Sequence, residues 1–147
     1  MQIKLNDLKK SYSTKDGVVN AVNGISLEIP DNTIFGIIGK SGAGKSTLVR
    51  LISLLEKPDS GSVFYGEKQV DNLGKNELIA QRRRIGMIFQ NFNLFSSRTA
   101  AKNIAYPLEI CNTPKDKIET RVKEMLNLVG LADRADAPVS TLSGGQK

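Results

Sequence analysis

The segment Gly39-Lys40-Ser41-Gly42-Ala43-Gly44-Lys45-Ser46 constrains this chain more than any other. Thr33-Ile34-Phe35-Gly36-Ile37-Ile38 precedes it and is apolar almost throughout. Such a run suits a strand buried on both faces of a parallel sheet. Behind it, Leu48, Leu51, Ile52 and Leu55 recur at helical spacing, so a helix is expected to begin within the glycine segment. The spacing matches G-x-x-x-x-G-K-[ST] in the strand-to-helix context that the motif requires. Glycines let successive N–H groups turn inward with no Cβ in the way. Those amides and the positive end of the helix make a nest for an anion. Lys45 places a point charge near β- and γ-phosphates, Ser46 offers a hard oxygen to Mg²⁺, and Thr47 can donate to an α-phosphate. The plainer alternative is a glycine loop that only turns the chain. Its setting between strand and helix argues for phosphate.

The 147 residues suffice for one domain with a real core. The net charge is +6, which raises nucleic acid or membrane phosphates as partners. The charges are scattered, however, and Arg82-Arg83-Arg84 has no interleaved aromatic residues. That run reads as a solvated face, and no nucleic-acid partner is expected. Cys111 is the only cysteine, so no internal disulfide can form. The N-terminus lacks an apolar signal region. No run approaches the about 18–20 apolar residues of a membrane span, and a soluble chain is expected.

Along the chain, Ile3-Lys4-Leu5 reads as a short strand, and Val18 to Ile29 is β-rich, alternating at Ile25, Leu27 and Ile29. Lys57-Pro58-Asp59-Ser60-Gly61 is a turn, and Ser62 to Tyr65 a further strand. Asn76 to Arg84 is expected to be helical. Ile85-Gly86-Met87-Ile88-Phe89 is expected to be a second buried strand, ending in Gln90. Two helical segments follow, Thr99 to about Glu109 and a stripe of Ile118, Val122, Met125, Leu126 and Val129 that reads as core packing. Gly130 stands where a helix-terminating glycine belongs.

Leu142-Ser143-Gly144-Gly145-Gln146 is a second glycine-rich turn. By itself it reads as a helix start capped by Ser143, and such a start also presents N–H groups to an anion. The two glycine segments, about 95 residues apart by this motif reading, have Gln90 between them. Together the three resemble the ATP-binding cassette (ABC) family over the whole chain. The resemblance implies an α/β P-loop NTPase fold with an antiparallel β subdomain and P-loop core in residues 1–90 and a helical subdomain in 91–147. The C-terminal part of the core would then be missing.

Further expectations come with that resemblance. Two ATPase subunits would form a homodimer, with Ser143, Gly144, Gly145 and Gln146 facing the γ-phosphate of the partner's ATP. Tyr12 matches the aromatic residue that stacks on adenine, against the plainer reading of a strand aromatic in the core. Gln90 matches the glutamine that touches Mg²⁺ and senses the membrane subunit. Asn91 to Thr99 matches the groove for that permease's coupling helices. Phe92, Leu94 and Phe95 are candidate contacts there, with core packing equally open. Ile34 to Gly39, Leu54 to Pro58, Met87 to Leu94, Ser96 to Thr99 and Pro107 to Ile110 are similar to the methionine-importer branch. Phe95 departs slightly from the leucine usual there. The branch implies a peripheral location on the cytoplasmic face of the membrane and an indirect partner in an extracellular substrate-binding protein. The family's Asp-Glu pair after an apolar strand and its switch histidine have no counterpart here, and the chain contains no histidine. No catalytic residue is therefore assigned, and this stretch alone is expected to be inactive.

Overall fold

Alternation at Ile25, Leu27 and Ile29 is realised in the computed structural model, which describes residues 1–147. Strand β1 (Ile3–Thr14) and strand β2 (Gly17–Ile29) form an antiparallel hairpin, registered from Ile3 opposite Ile29 to Thr14 opposite Gly17. Lys15 and Asp16 make its turn, where the Thr14 hydroxyl donates to the Gly17 carbonyl at 2.8 Å. β1 is far longer than Ile3-Lys4-Leu5 suggests: between Asn6 and Thr14 only Leu8 is buried in the core, and cross-strand bonds rather than an apolar pattern hold the remainder. A bulge at Asp7 (φ 43°) interrupts the ladder, and the Asp7 N–H donates to the Ser26 hydroxyl at 2.8 Å.

Helix α1 (Lys45–Ile52) follows the glycine segment. Strand β3 (Ser60–Tyr65) then pairs antiparallel with β1, and the two-residue strand β4 (Lys68–Gln69) pairs with β3. The sheet order is β2-β1-β3-β4. Leu5, Leu8, Val22, Val63 and Tyr65 from the sheet bury against Leu48 and Leu51 of α1, joined by Leu54 and Val70. Helix α2 (Lys75–Arg82) buries no residue fully.

α1 is shorter than its stripe implies. It ends at Ile52, and Leu54 rather than Leu55 enters the core. The chain reverses there: the Leu54 N–H reaches the Leu51 carbonyl at 3.1 Å and the Leu55 N–H the Arg50 carbonyl at 2.9 Å. Leu54 takes the left-handed position of this helix stop (φ 58°), a place usually held by glycine. Arg82 donates to the Leu54 carbonyl through Nε at 2.8 Å and Nη2 at 2.5 Å, so the first member of the arginine run serves the fold.

The two expected parallel strands are not formed. Thr33–Ile38 and Ile85–Phe89 have no hydrogen-bonded neighbour strand, and Ile34, Ile38 and Ile88 are fully exposed. A central strand exists only through its neighbours, and residues 1–147 place none beside these segments. The sheet that does form is antiparallel throughout.

Residues 1–87 and 88–147 are two compact units. The second contains helix α3 (Ala100–Glu109) and helix α4 (Lys115–Leu128), followed by 3₁₀ turns at Ala132–Arg134, Val139–Thr141 and Gly144–Gln146. Thr99 caps α3, accepting from the Lys102 N–H at 3.3 Å. The next orphan amides of α3 find carbonyls on the returning chain, Ala100 to Ala137 at 3.0 Å and Ala101 to Ala135 at 2.9 Å. α4 ends as its glycine predicts. Gly130 has φ 68°, with the Leu131 N–H bonded to the Leu126 carbonyl at 2.8 Å. Val122 and Leu126 of its stripe bury with Ala100, Ala105 and Leu142, whereas Val129 lies past the helix and is exposed.

Candidate nucleotide site

The cradle grows directly out of backbone chemistry. Gly39, Gly42 and Gly44 have φ of 159°, 79° and 82°. Gly44 is the residue before α1, and the Leu48 N–H already reaches its carbonyl at 2.8 Å. Gly44 is also fixed by packing: a Cβ there would lie 1.9 Å from the Ala21 carbonyl oxygen of β2. Only glycine can occupy that place, whatever the loop binds. A Cβ on Gly42 would meet nothing within 4 Å.

Gly44, Lys45, Ser46 and Thr47 supply amides at the start of α1, where a helix leaves its N–H groups without intrahelical acceptors. Within the loop, the Ala43 N–H donates to the Lys40 carbonyl at 3.2 Å. Lys45 folds over the loop, its Nζ donating to the Gly39 and Lys40 carbonyls at 2.7 Å each. An ammonium held by two neutral carbonyls has only modest partners, and an oxyanion is a stronger acceptor for it. Lys40, Ser41, Gly42, Ala43 and Ser46 are exposed. Open amides, an ammonium at the loop and a helix N-terminus fit a polyphosphate. No group of three His, Cys, Asp or Glu side chains is gathered to hold a metal ion.

Tyr12 lies on β1, half-buried, and does not belong to the buried core cluster. Its phenol donates to Glu56 Oε1 at 2.8 Å. Glu56 and Asp59 follow α1, and together they fasten the Lys10-Ser11-Tyr12 stretch. Lys10 Nζ lies 2.9 Å from Asp59 Oδ1 and 3.9 Å from Glu56 Oε1. The Ser11 N–H and hydroxyl donate to Asp59 Oδ2 at 2.7 and 2.8 Å. These bonds, the Lys10 one foremost, hold the Asp59 carboxyl down at about 2. Asp59 in turn raises the Lys10 ammonium above its ordinary value. Burial, then the Glu56 bond, pushes the Tyr12 phenol up. Nothing local in the sequence marks Glu56 and Asp59 as partners of this stretch, because they stand in a turn segment and the contacts span 44 to 49 residues.

The remaining candidates lie in the second unit. Gln90 is exposed in a turn. Ser143 begins the last 3₁₀ turn, and its N–H donates to Gln146 Oε1 at 3.0 Å, so the Gln146 side chain caps its own loop. Gly144 and Gly145 are exposed and open, with nothing within 4 Å of either Cβ position. Phe92 and Phe95 are about half exposed, and Leu94 lines a cleft of about 510 Å³ with Ile104, Met125, Leu142 and the Gly145–Lys147 end. Met125 and Val129 thus face that cleft and do not complete a closed core. Arg98 lies over both the Phe95 and Tyr106 rings, at 5.4 and 4.6 Å, and pairs with Glu109 at 3.1 Å.

The ABC transporter family profile matches residues 22–147. The chain is 52% identical over 145 residues to the methionine import ATP-binding protein MetN of Shigella boydii and 51% identical to that of Escherichia coli K12. Each match covers 99% of this chain and 42% of the relative, so the chain spans about two fifths of their length. Among solved structures, an ATP-binding cassette dimer in a post-hydrolysis state bound to ADP and Pi superposes with a TM-score of 0.87 at 32% identity. It covers 98% of this chain and 64% of its own. The cbiO1 protein of Clostridium perfringens, part of the ABC transporter complex cbiONQ, gives 0.79 at 30% identity, with 98% and 56% covered. With its glycine cradle leading into α1 and its capped Ser143–Gln146 turn, this chain belongs to the ABC transporter family.

Proposed function

We propose that this chain is the nucleotide-binding part of an ATPase subunit that powers a bacterial methionine importer. One observation carries the reading: a loop of open amides and a lysine stands at the start of α1, in a chain half identical to methionine import ATP-binding proteins. Gly39 to Thr47 bind the phosphates of ATP, with Lys45 exchanging the Gly39 and Lys40 carbonyls for phosphate oxygens. Tyr12 takes the adenine on its ring. Ser46 offers a neutral oxygen to the Mg²⁺ of the nucleotide, and Gln90 is a separate candidate for a second one. When bound, the nucleotide supplies the anhydride whose cleavage drives transport. Residues 1–147 bind and orient it, and the hydrolytic carboxylate belongs to the whole protein.

Ser143, Gly144, Gly145 and Gln146 contribute to a second subunit's ATP in a homodimer. Phe92, Leu94 and Phe95 meet the permease at the cytoplasmic face of the membrane, and a substrate-binding protein acts indirectly from outside. Residues 1–90 serve the nucleotide and 91–147 the partner subunits.

The test is ATP affinity of the full-length protein with Lys45→Ala. A loss of about tenfold or more is expected from removing a charge-assisted contact, and unchanged affinity refutes the cradle. Uptake by the assembled transporter, measured across amino acids, decides the substrate. Preference for an amino acid other than methionine leaves an ABC importer ATPase of a different specificity.

A further inference from the structure

We propose that Glu56 is a positioning residue for nucleotide recognition: its carboxylate holds the Tyr12 ring in place for the base. The inference rests on the reading of Tyr12 as the adenine platform.

A tyrosine half-exposed on a strand can exchange between staggered side-chain rotamers unless its hydroxyl is tied. Stacking on a mobile ring forfeits part of its gain to the cost of ordering that ring. Here the phenol donates to Glu56 Oε1 at 2.8 Å. Glu56 lies four residues past the end of α1, the helix whose first turn forms the cradle. Its N–H is bonded to the Arg50 carbonyl at 3.3 Å, which ties its backbone to that helix. The Glu56 bond, with the Thr47 hydroxyl of α1 also beside the phenol, links the ring on β1 to the element that carries the phosphate site. Lys10 Nζ reinforces the arrangement, lying 3.9 Å from Glu56 and 5.8 Å from the centre of the Tyr12 ring. A cation on one face leaves the other face for a base. Asp59 restrains Lys10 and the Ser11 backbone in turn. The distance from ring to cradle is thus fixed before nucleotide arrives, and the base and the phosphates are selected as one ligand.

The measurement is binding of Mg-ATP and of inorganic tripolyphosphate by the full-length protein with Tyr12→Ala, Glu56→Ala and Glu56→Gln. Tripolyphosphate reads the cradle without the base. Tyr12→Ala weakens ATP by about tenfold and leaves tripolyphosphate unchanged, as loss of base stacking requires. Glu56→Ala weakens ATP by about three- to tenfold with tripolyphosphate again unchanged, and Glu56→Gln, which keeps the acceptor oxygen, restores ATP binding to within about twofold. Unchanged ATP binding in Glu56→Ala overturns the inference. So does a parallel loss of both ligands, which would make Glu56 a support of the fold. If Tyr12→Ala itself binds ATP normally, the platform reading falls. If Tyr12→Ala loses ATP and Glu56→Ala does not, only the positioning role falls.

Discussion

Gly44 and Gly42 share a motif but not a reason. Gly44→Ala forces a methyl group to 1.9 Å from the Ala21 carbonyl oxygen at a φ of 82°. It is expected to cost about 3 kcal/mol or more, because backbone on both sides must shift. Gly42→Ala meets open space and bears only its left-handed φ, a cost of about 1 kcal/mol. Urea unfolding of the two variants separates these values. Tyr65 gives a pH signature. It is buried, its hydroxyl donates to the Ile52 carbonyl, and burial pushes it up from 10.0 to about 12. The unfolded state then loses its proton first. The stabilisation is complete below pH 10 and falls by about 2–3 kcal/mol as pH rises to 12. Alkaline unfolding compared between the native protein and Tyr65→Phe should show that slope only in the former.

At the scale of elements, helix ends decide the packing. α1 stops through a leucine in the left-handed position, with the Arg82 guanidinium on that residue's carbonyl. The strained backbone is retained because the Leu54 side chain fills the core. Leu54→Ala should therefore cost about 2–4 kcal/mol in urea unfolding, the price of a core cavity with no relief of the φ. Leu54→Gly relieves that φ and should cost less than a simple sum of the two effects. α3 shows the same logic at its start. Thr99 caps one amide, and Ala135 and Ala137 take the next. Thr99→Ala is expected to lose about 1 kcal/mol, read by thermal unfolding. Thr99 was legible in the sequence as a helix start; the carbonyls from residues 135 and 137 were not, because nothing local marks a strand-like return that bonds across 34 and 37 residues.

Across the whole molecule, apolar surface is left uncovered. Ile34, Phe35, Ile38, Ile88 and Phe89 are all exposed. Residues 1–147 in isolation should bind an apolar fluorescent dye and self-associate as concentration rises. Ile34→Ser with Ile38→Ser should reduce both, by dye fluorescence and light scattering, while leaving the antiparallel sheet's circular dichroism intact. Retained dye binding would place the sticky surface elsewhere.

The sequence alone determined the glycine loop, the start of the helix behind it, the Gly130 stop and the Ser143–Gln146 turn. Each is set by residues within one or two turns of one another, where φ preference, capping and helical spacing act without outside help. Tertiary structure decided the rest. It left Thr33–Ile38 and Ile85–Phe89 unpaired, since strand pairing depends on a neighbour and not on composition. It made Gly44 obligatory through the Ala21 carbonyl, and it tied Tyr12 to Glu56. These are contacts between distant residues, and their energy exists only once the chain has brought the partners together.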